Sequence, residues 1–140
     1  MDILGERIAA TLQAGDVIAL SGELGAGKTT LARAILSGLG LATEAPSPSF
    51  AIVQPYAPPE TNLPVLHVDL YRIKSPAELD ELGLDEARGD HALLIEWPEH
   101  MGNRAWTDML WLRIDFAEDD ARHLTAQVPP SWENRCRSWI

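Results

Sequence analysis

Eight consecutive residues, Gly22-Glu23-Leu24-Gly25-Ala26-Gly27-Lys28-Thr29, constrain this chain more than any other feature. They fit the pattern G-x-x-x-x-G-K-[ST] at every fixed position. Glycines let the backbone curl so that successive N–H groups point inward at phosphate oxygens. A helix starting at Lys28 adds the positive end of its dipole. The Lys28 ammonium can place a point charge on β- and γ-phosphates, and the Thr29 hydroxyl can ligate magnesium. The flanks meet the structural condition for such a loop. Asp16-Val17-Ile18-Ala19-Leu20 reads as a short apolar strand, and residues 28–37 (KTTLARAILS) read as a helix closed by Gly38 and Gly40.

The rest of the pattern alternates strands and helices. Leu4, Ile8 and Leu12 recur at helical spacing, which predicts an amphipathic helix over residues 2–13. Prolines crowd residues 45–64, leaving room for a short edge strand over 49–53 and then an exposed loop over 55–64. Residues 65–72 (VLHVDLYR) predict a strand, and Ser75-Pro76-Ala77-Glu78 is a capping box that opens a helix to about Leu82. Residues 92–97 (ALLIEW) form a continuous apolar run, the pattern of a strand covered on both faces. Residues 110–116 and 123–128 predict two more strands, joined as a hairpin. The expectation is a single α/β domain of P-loop NTPase type over residues 1–128, with a mixed β-sheet flanked by helices. Residues 129–140 form a tail carrying Trp132 and Trp139, which either packs on the body or frays.

Composition excludes several function classes. With 21 acidic against 11 basic side chains, the net charge of -10 argues against a broad phosphate-backbone grip by this chain alone. A single cysteine, Cys136, excludes an intrachain disulfide and a cysteine-rich zinc site. No basic flank followed by an apolar run opens the chain, and no stretch approaches the ~20 apolar residues of a membrane span. A cytoplasmic protein without membrane association is therefore expected.

A phosphate loop also needs carboxylates near its magnesium. In Leu66-His67-Val68-Asp69-Leu70-Tyr71 the side chains alternate, so Leu66, Val68 and Leu70 share an apolar face and His67, Asp69 and Tyr71 the other. Either that second face walls a polar site or it meets solvent. His67 taken alone is more often a hydrogen-bonded structural histidine than a ligand. Glu96 follows Leu93-Leu94-Ile95 at the carboxyl end of a buried strand, where ligands bind in open α/β sheets. Trp97 beside it either lines the nucleotide pocket or packs at a sheet edge.

Gly22 to Thr30, Ser47-Pro48-Ser49-Phe50, His67-Val68-Asp69-Leu70-Tyr71-Arg72 and Ile95-Glu96-Trp97-Pro98 occur in this order. Together they resemble the bacterial TsaE (YjeE) family, the ATPase component of tRNA threonylcarbamoyladenosine (t6A) synthesis. The resemblance implies that Glu23, Leu24, Gly25, Ala26, Gly27, Lys28, Thr29 and Thr30 hold ATP or ADP, with Trp97 and Arg122 adjacent. It implies that Thr29 and Glu96 hold Mg2+, with Asp69 as a direct or outer ligand. Lys28, Glu96, Asp69 and Ser49 would carry the chemistry, Ser49 within a segment sensing the γ-phosphate. The family usually has threonine at Ser49; serine keeps the hydroxyl. The implied activity is slow ATP hydrolysis in support of the TsaD and TsaB proteins, which modify the adenosine beside the anticodon and hold the tRNA. TsaE-like proteins are not themselves the carbamoyl transferase.

Other phosphate-loop proteins fit less well. Asp80-Glu81-Leu82-Gly83 matches the D-x-x-G of regulatory GTPases, but it falls within a predicted helix and no N-K-x-D segment exists. A small kinase would usually bring an arginine-bearing lid, which is not evident. A nucleotide-gated assembly factor with incidental hydrolysis remains a further alternative.

Overall fold

The structure is a computed structural model that describes residues 2–23, 25–42 and 52–139. The expected segment around Ser49, residues 49–51 of the strand expected over 49–53, and Leu24 lie outside the described residues. In chain order the elements are α1 (Asp2–Thr11), β1 (Val17–Gly22), α2 (Lys28–Gly38), β2 (Val53–Tyr56), β3 (Val65–Asp69), α3 (Pro76–Glu81), α4 (Leu84–Ala87), β4 (Ala92–Glu96), β5 (Leu110–Phe116), β6 (Arg122–Gln127) and α5 (Glu133–Cys136). A 3₁₀ segment, Pro98–Arg104, leads from β4 toward β5.

Six strands form one sheet in the order β2-β3-β4-β1-β5-β6. The inner four run parallel, and β2 and β6 close the two edges antiparallel. The expected mixed α/β sheet is therefore present. Alternation sorts the strand residues into two cores. Ile18, Leu20, Leu94, Leu112 and Ile114 pack with Leu31, Ile35 and Leu36 of α2 and Ile8 of α1. Val17, Ala19, Leu93, Ile95 and Val68 pack on the opposite face with Leu79, Leu84 and Met101. Burying each such side chain contributes about 1.5–3 kcal/mol, which fixes the layers and hence the end of the sheet where loops gather.

Two expectations need correction. β2 runs through Pro55 and Tyr56, which the proline content assigns to a loop. Pro55 lies opposite Leu66 on the outermost strand, where a missing N–H need not break an inner ladder. Tyr56 is buried and belongs to the core. The strand expected over 65–72 stops at Asp69, three residues early.

The capping box at Ser75 forms in part. The Ser75 hydroxyl accepts from the Glu78 N–H at 3.2 Å, while the Glu78 carboxylate accepts from Lys74 N–H rather than from Ser75. The tail packs on the body. Trp132 is 1% exposed in the α1/α2-side core, with the Arg135 guanidinium 3.7 Å from its ring centroid. Arg135 in turn makes an ion pair with Asp16 at 2.6 Å. No helix among the described residues is long and apolar enough to cross a membrane.

Candidate functional site

The site lies where β1, β3 and β4 end together. β1 delivers the glycine loop. The register sets Leu20 beside Glu96 and Glu96 beside Asp69, so both carboxylates reach the same sheet end as the loop. By parity Glu96 continues the Ala92 and Leu94 face, the one packed against α2.

Loop geometry depends on missing side chains. Gly22 has φ +138°, and a Cβ there would sit 2.1 Å from the Ile114 carbonyl oxygen of β5. Gly27 caps α2 in the left-handed region at φ 116° and offers no side-chain cap, so the first amides of α2 are left for another acceptor. The loop is closed by Ala26 N–H donating to Glu23 O at 3.0 Å. From the far edge, Arg122 Nε donates to Ala26 O at 3.0 Å, and its guanidinium lies 4.5 Å from the Phe116 ring centroid. Arg122 thus braces the loop from outside.

Lys28 is 4% exposed. Its ammonium donates to the Gly22 and Glu23 carbonyls at 2.8 and 2.9 Å and lies 4.3 Å from the Trp97 ring centroid. Burial pushes its pKa below the ordinary lysine value, opposed by the charges of Glu96, Glu99 and Asp69.

Glu96, 2% exposed, is shared between two donors. Thr29 Oγ1 donates to Oε1 at 2.8 Å, and His67 Nε2 meets Oε2 at 2.7 Å. A buried carboxylate is costly without such partners. Asp69 is less buried. Its Oδ1 accepts from Tyr71 N–H at 2.9 Å, and desolvation holds its carboxyl above the ordinary carboxylate value, with the Glu96 charge adding to the rise.

Trp97 takes φ 59° and ψ 50°, a left-handed conformation rare for a bulky residue. That turn directs the chain into the Pro98–Arg104 segment and leaves the indole 5.1 Å from Tyr71 and 5.8 Å from His100, centroid to centroid. Between the loop and this aromatic wall is a cleft of about 370 Å³, lined by Gly25, Gly27, Lys28, Thr29 and Thr30 on one side and Asp69, Tyr71, Arg72, Glu96 and Trp97 on the other. A second cavity of about 250 Å³ lies elsewhere, bordered by Leu79, Leu84, Met101 and Trp106.

The structure thus gathers Gly25, Gly27, Lys28, Thr29, Thr30, Asp69, Glu96 and Trp97 around one cleft. Ala26 and Arg122 brace it, while Glu23 contributes a backbone carbonyl to Lys28 and has an exposed side chain. Sequence reasoning missed Arg72 and His100. Arg72 follows directly on the His67, Asp69 and Tyr71 face and was open to inference; nothing in the residue pattern marked His100. It also left the purpose of His67 open, which the bond to Glu96 answers.

Thr29, Glu96 and Asp69 fit a magnesium ion bound together with phosphates. Among the described residues no group of three His, Cys, Asp or Glu side chains could hold a metal by itself. Magnesium ordinarily takes one or two carboxylates and completes its shell with phosphate oxygens and water.

Comparison with known proteins agrees with this geometry. The family model for "Threonylcarbamoyl adenosine biosynthesis protein TsaE" matches residues 1–124. A Streptomyces coelicolor protein named tRNA threonylcarbamoyladenosine biosynthesis protein TsaE is 42% identical, over 87% of this chain and 86% of its own. The Bacillus subtilis protein of the same name is 38% identical, over 87% and 75%. A crystal structure of Bacillus subtilis YdiB superposes with a TM-score of 0.81 at 31% identity, covering 99% of this chain and 85% of that one. The loop, the two strand-end carboxylates and these likenesses converge: the chain belongs to the TsaE family, whose proteins take part in t6A biosynthesis.

Proposed function

We propose that the protein is a magnesium-dependent ATP-binding protein and slow ATPase that supports t6A modification of tRNA together with TsaD and TsaB. The observation that carries the reading is the Thr29–Glu96 hydrogen bond at the loop, 2.8 Å long. It joins the hydroxyl that a phosphate loop reserves for magnesium to a buried carboxylate beside it.

In this reading the glycine loop and the first amides of α2 surround the phosphates, and Lys28 leaves the Gly22 and Glu23 carbonyls for the β- and γ-phosphate oxygens. Thr29 and Glu96 hold magnesium, with Asp69 as a further ligand or an outer partner. Bound magnesium supplies charge neutralisation on the phosphates. Trp97 lies beside the nucleotide, Arg122 keeps the loop backbone in place, and Ser49 belongs to the segment that responds to the γ-phosphate. The net charge of -10 supports a division of labour in which the partners hold the tRNA. A cytoplasmic location follows from that substrate.

The test is phosphate release from magnesium-ATP by the purified chain, alone and with TsaD and TsaB of the same organism. Slow release alone, altered release with the partners and a nucleotide-dependent complex are the expected results. Absence of ATP binding, or turnover indifferent to partners that also form no complex, would overturn the reading. Complex formation that needs ATP but no hydrolysis would favour the nucleotide-gated assembly factor.

A further inference from the structure

We infer that His67 is a positioning residue for Glu96: its Nε2–H holds carboxylate oxygen Oε2, so that Oε1 is the oxygen presented to Thr29 and the cleft. The inference rests on the role proposed for Glu96 above.

His67 sits in the middle of β3, opposite Leu94 of β4 and on the same sheet face as Glu96 two residues further on. It is 0% exposed and does not line the cleft, so it cannot itself meet a nucleotide or an attacking water. Among the described residues its one polar contact is Nε2 to Glu96 Oε2 at 2.7 Å. A carboxylate accepts, so Nε2 is the nitrogen that carries the hydrogen.

Nδ1 is buried and has no hydrogen-bond partner among the described residues. An orphaned buried polar atom is destabilising, so packing in the strand interior does not by itself account for a histidine at this position. The bond that the ring does make is the one to Glu96. The two bonds to that carboxylate differ in kind. Thr29 belongs to the loop and lines the cleft, so a ligand can take over its bond. His67 belongs to the sheet interior, so its bond persists through any change in the cleft. Without it, Oε2 would be left unpartnered at a site 2% exposed, and the carboxylate would turn toward whichever donor is nearest, Lys28 included.

Long-range ¹H–¹⁵N NMR of the nucleotide-free protein tests the contact without any activity. The expected spectrum shows His67 as the Nε2–H tautomer, with that fixed tautomer lost in Glu96→Ala. An Nδ1–H tautomer, or a spectrum indifferent to Glu96→Ala, would overturn the inference. Kinetics then test the consequence. His67→Leu should lower kcat for magnesium-ATP by roughly 10- to 100-fold and raise the magnesium concentration needed for half-maximal turnover. His67→Gln, which restores an amide donor, should recover part of that loss, and magnesium-free ATP affinity should stay near wild type in both. Wild-type kcat and magnesium requirement in His67→Leu, or equal loss of kcat and magnesium-free ATP affinity, would overturn the positioning role. If the unaltered chain does not turn over magnesium-ATP, the proposed function fails and the NMR experiment decides the clamp by itself. Should His67→Leu not fold, the NMR result and His67→Gln decide.

Discussion

Thr29 Oγ1 and Glu96 Oε1 are hydrogen-bonded at 2.8 Å, joining the first turn of α2 to the last residue of β4. Thr29→Val keeps the shape and deletes the donor. It leaves one oxygen of a buried carboxylate unpartnered, which costs about 1–3 kcal/mol of stability. Urea unfolding without nucleotide should read that loss, and turnover should need more magnesium. Glu96→Ala removes a carboxylate proposed to hold magnesium and should cut turnover by at least the roughly 10- to 100-fold that losing a ligand's supporting partner costs. Normal turnover in Glu96→Ala would remove it from the mechanism.

Lys28→Ala should weaken ATP binding by roughly 10- to 150-fold, the equivalent of one charge-assisted hydrogen-bonding group worth ~1.5–3 kcal/mol. Isothermal titration with magnesium-ATP checks it. Unchanged affinity would refute the loop assignment, because among the described residues no other lysine lines the cleft.

Asp69 titrates above its ordinary value because of desolvation, reinforced by Glu96 and only partly offset by the Tyr71 N–H. The folded state therefore binds this proton more tightly than the unfolded chain does. Stability attributable to Asp69 falls as pH rises from the ordinary value of 3.8 through the raised one, and the full penalty is present above the raised one. Asp69→Asn keeps an acceptor for Tyr71 and removes the charge. Its Tm without nucleotide or magnesium should exceed wild type at neutral pH, with the gap closing as pH drops toward the ordinary carboxylate range. A Tm difference independent of pH would contradict the burial argument.

Gly22→Ala should be severely destabilising. The new Cβ would fall 2.1 Å from the Ile114 carbonyl oxygen, at a φ of +138°. Loop and β5 must separate, at a cost of about 3 kcal/mol or more. Chemical denaturation measures it, and loss of nucleotide binding should accompany the loss of stability.

Trp132→Ala should cost about 3–5 kcal/mol, the range for deleting a buried aromatic ring. Removing residues 129–140 should be at least as damaging. A truncated chain with wild-type Tm would show that the tail does not share the α1/α2-side core.

Much of the architecture was legible from residue order. The glycine loop announced its strand and helix, and the unbroken run Ala92-Leu93-Leu94-Ile95 announced a strand covered on both faces, as β4 is. Alternation over residues 65–72 put His67, Asp69 and Tyr71 on one side, and the structure turns that side toward Glu96 and the cleft. Propensity failed at Pro55, because proline's cost depends on whether a strand is inner or outermost, which is set by sheet order and not by local sequence. It was silent on Trp132, whose burial requires α1 and α2 to leave a space of the right shape. The Arg122–Ala26 brace spans 96 positions and has no local signature.

The position of β1 in the sheet has a consequence for synthesis. Its neighbours are β4 and β5, paired through Val17 with Leu93 and Ile18 with Leu110. During translation the glycine loop leaves the ribosome early, with neither wall of its site yet made. Until β4 and β5 emerge, β1 has two unpaired edges and an apolar sequence, a state open to non-native pairing. Thr29 waits for Glu96, and Gly22 for Ile114. Acquisition of nucleotide affinity on the ribosome should therefore be abrupt and late, arriving with the second half of the chain rather than with the motif itself.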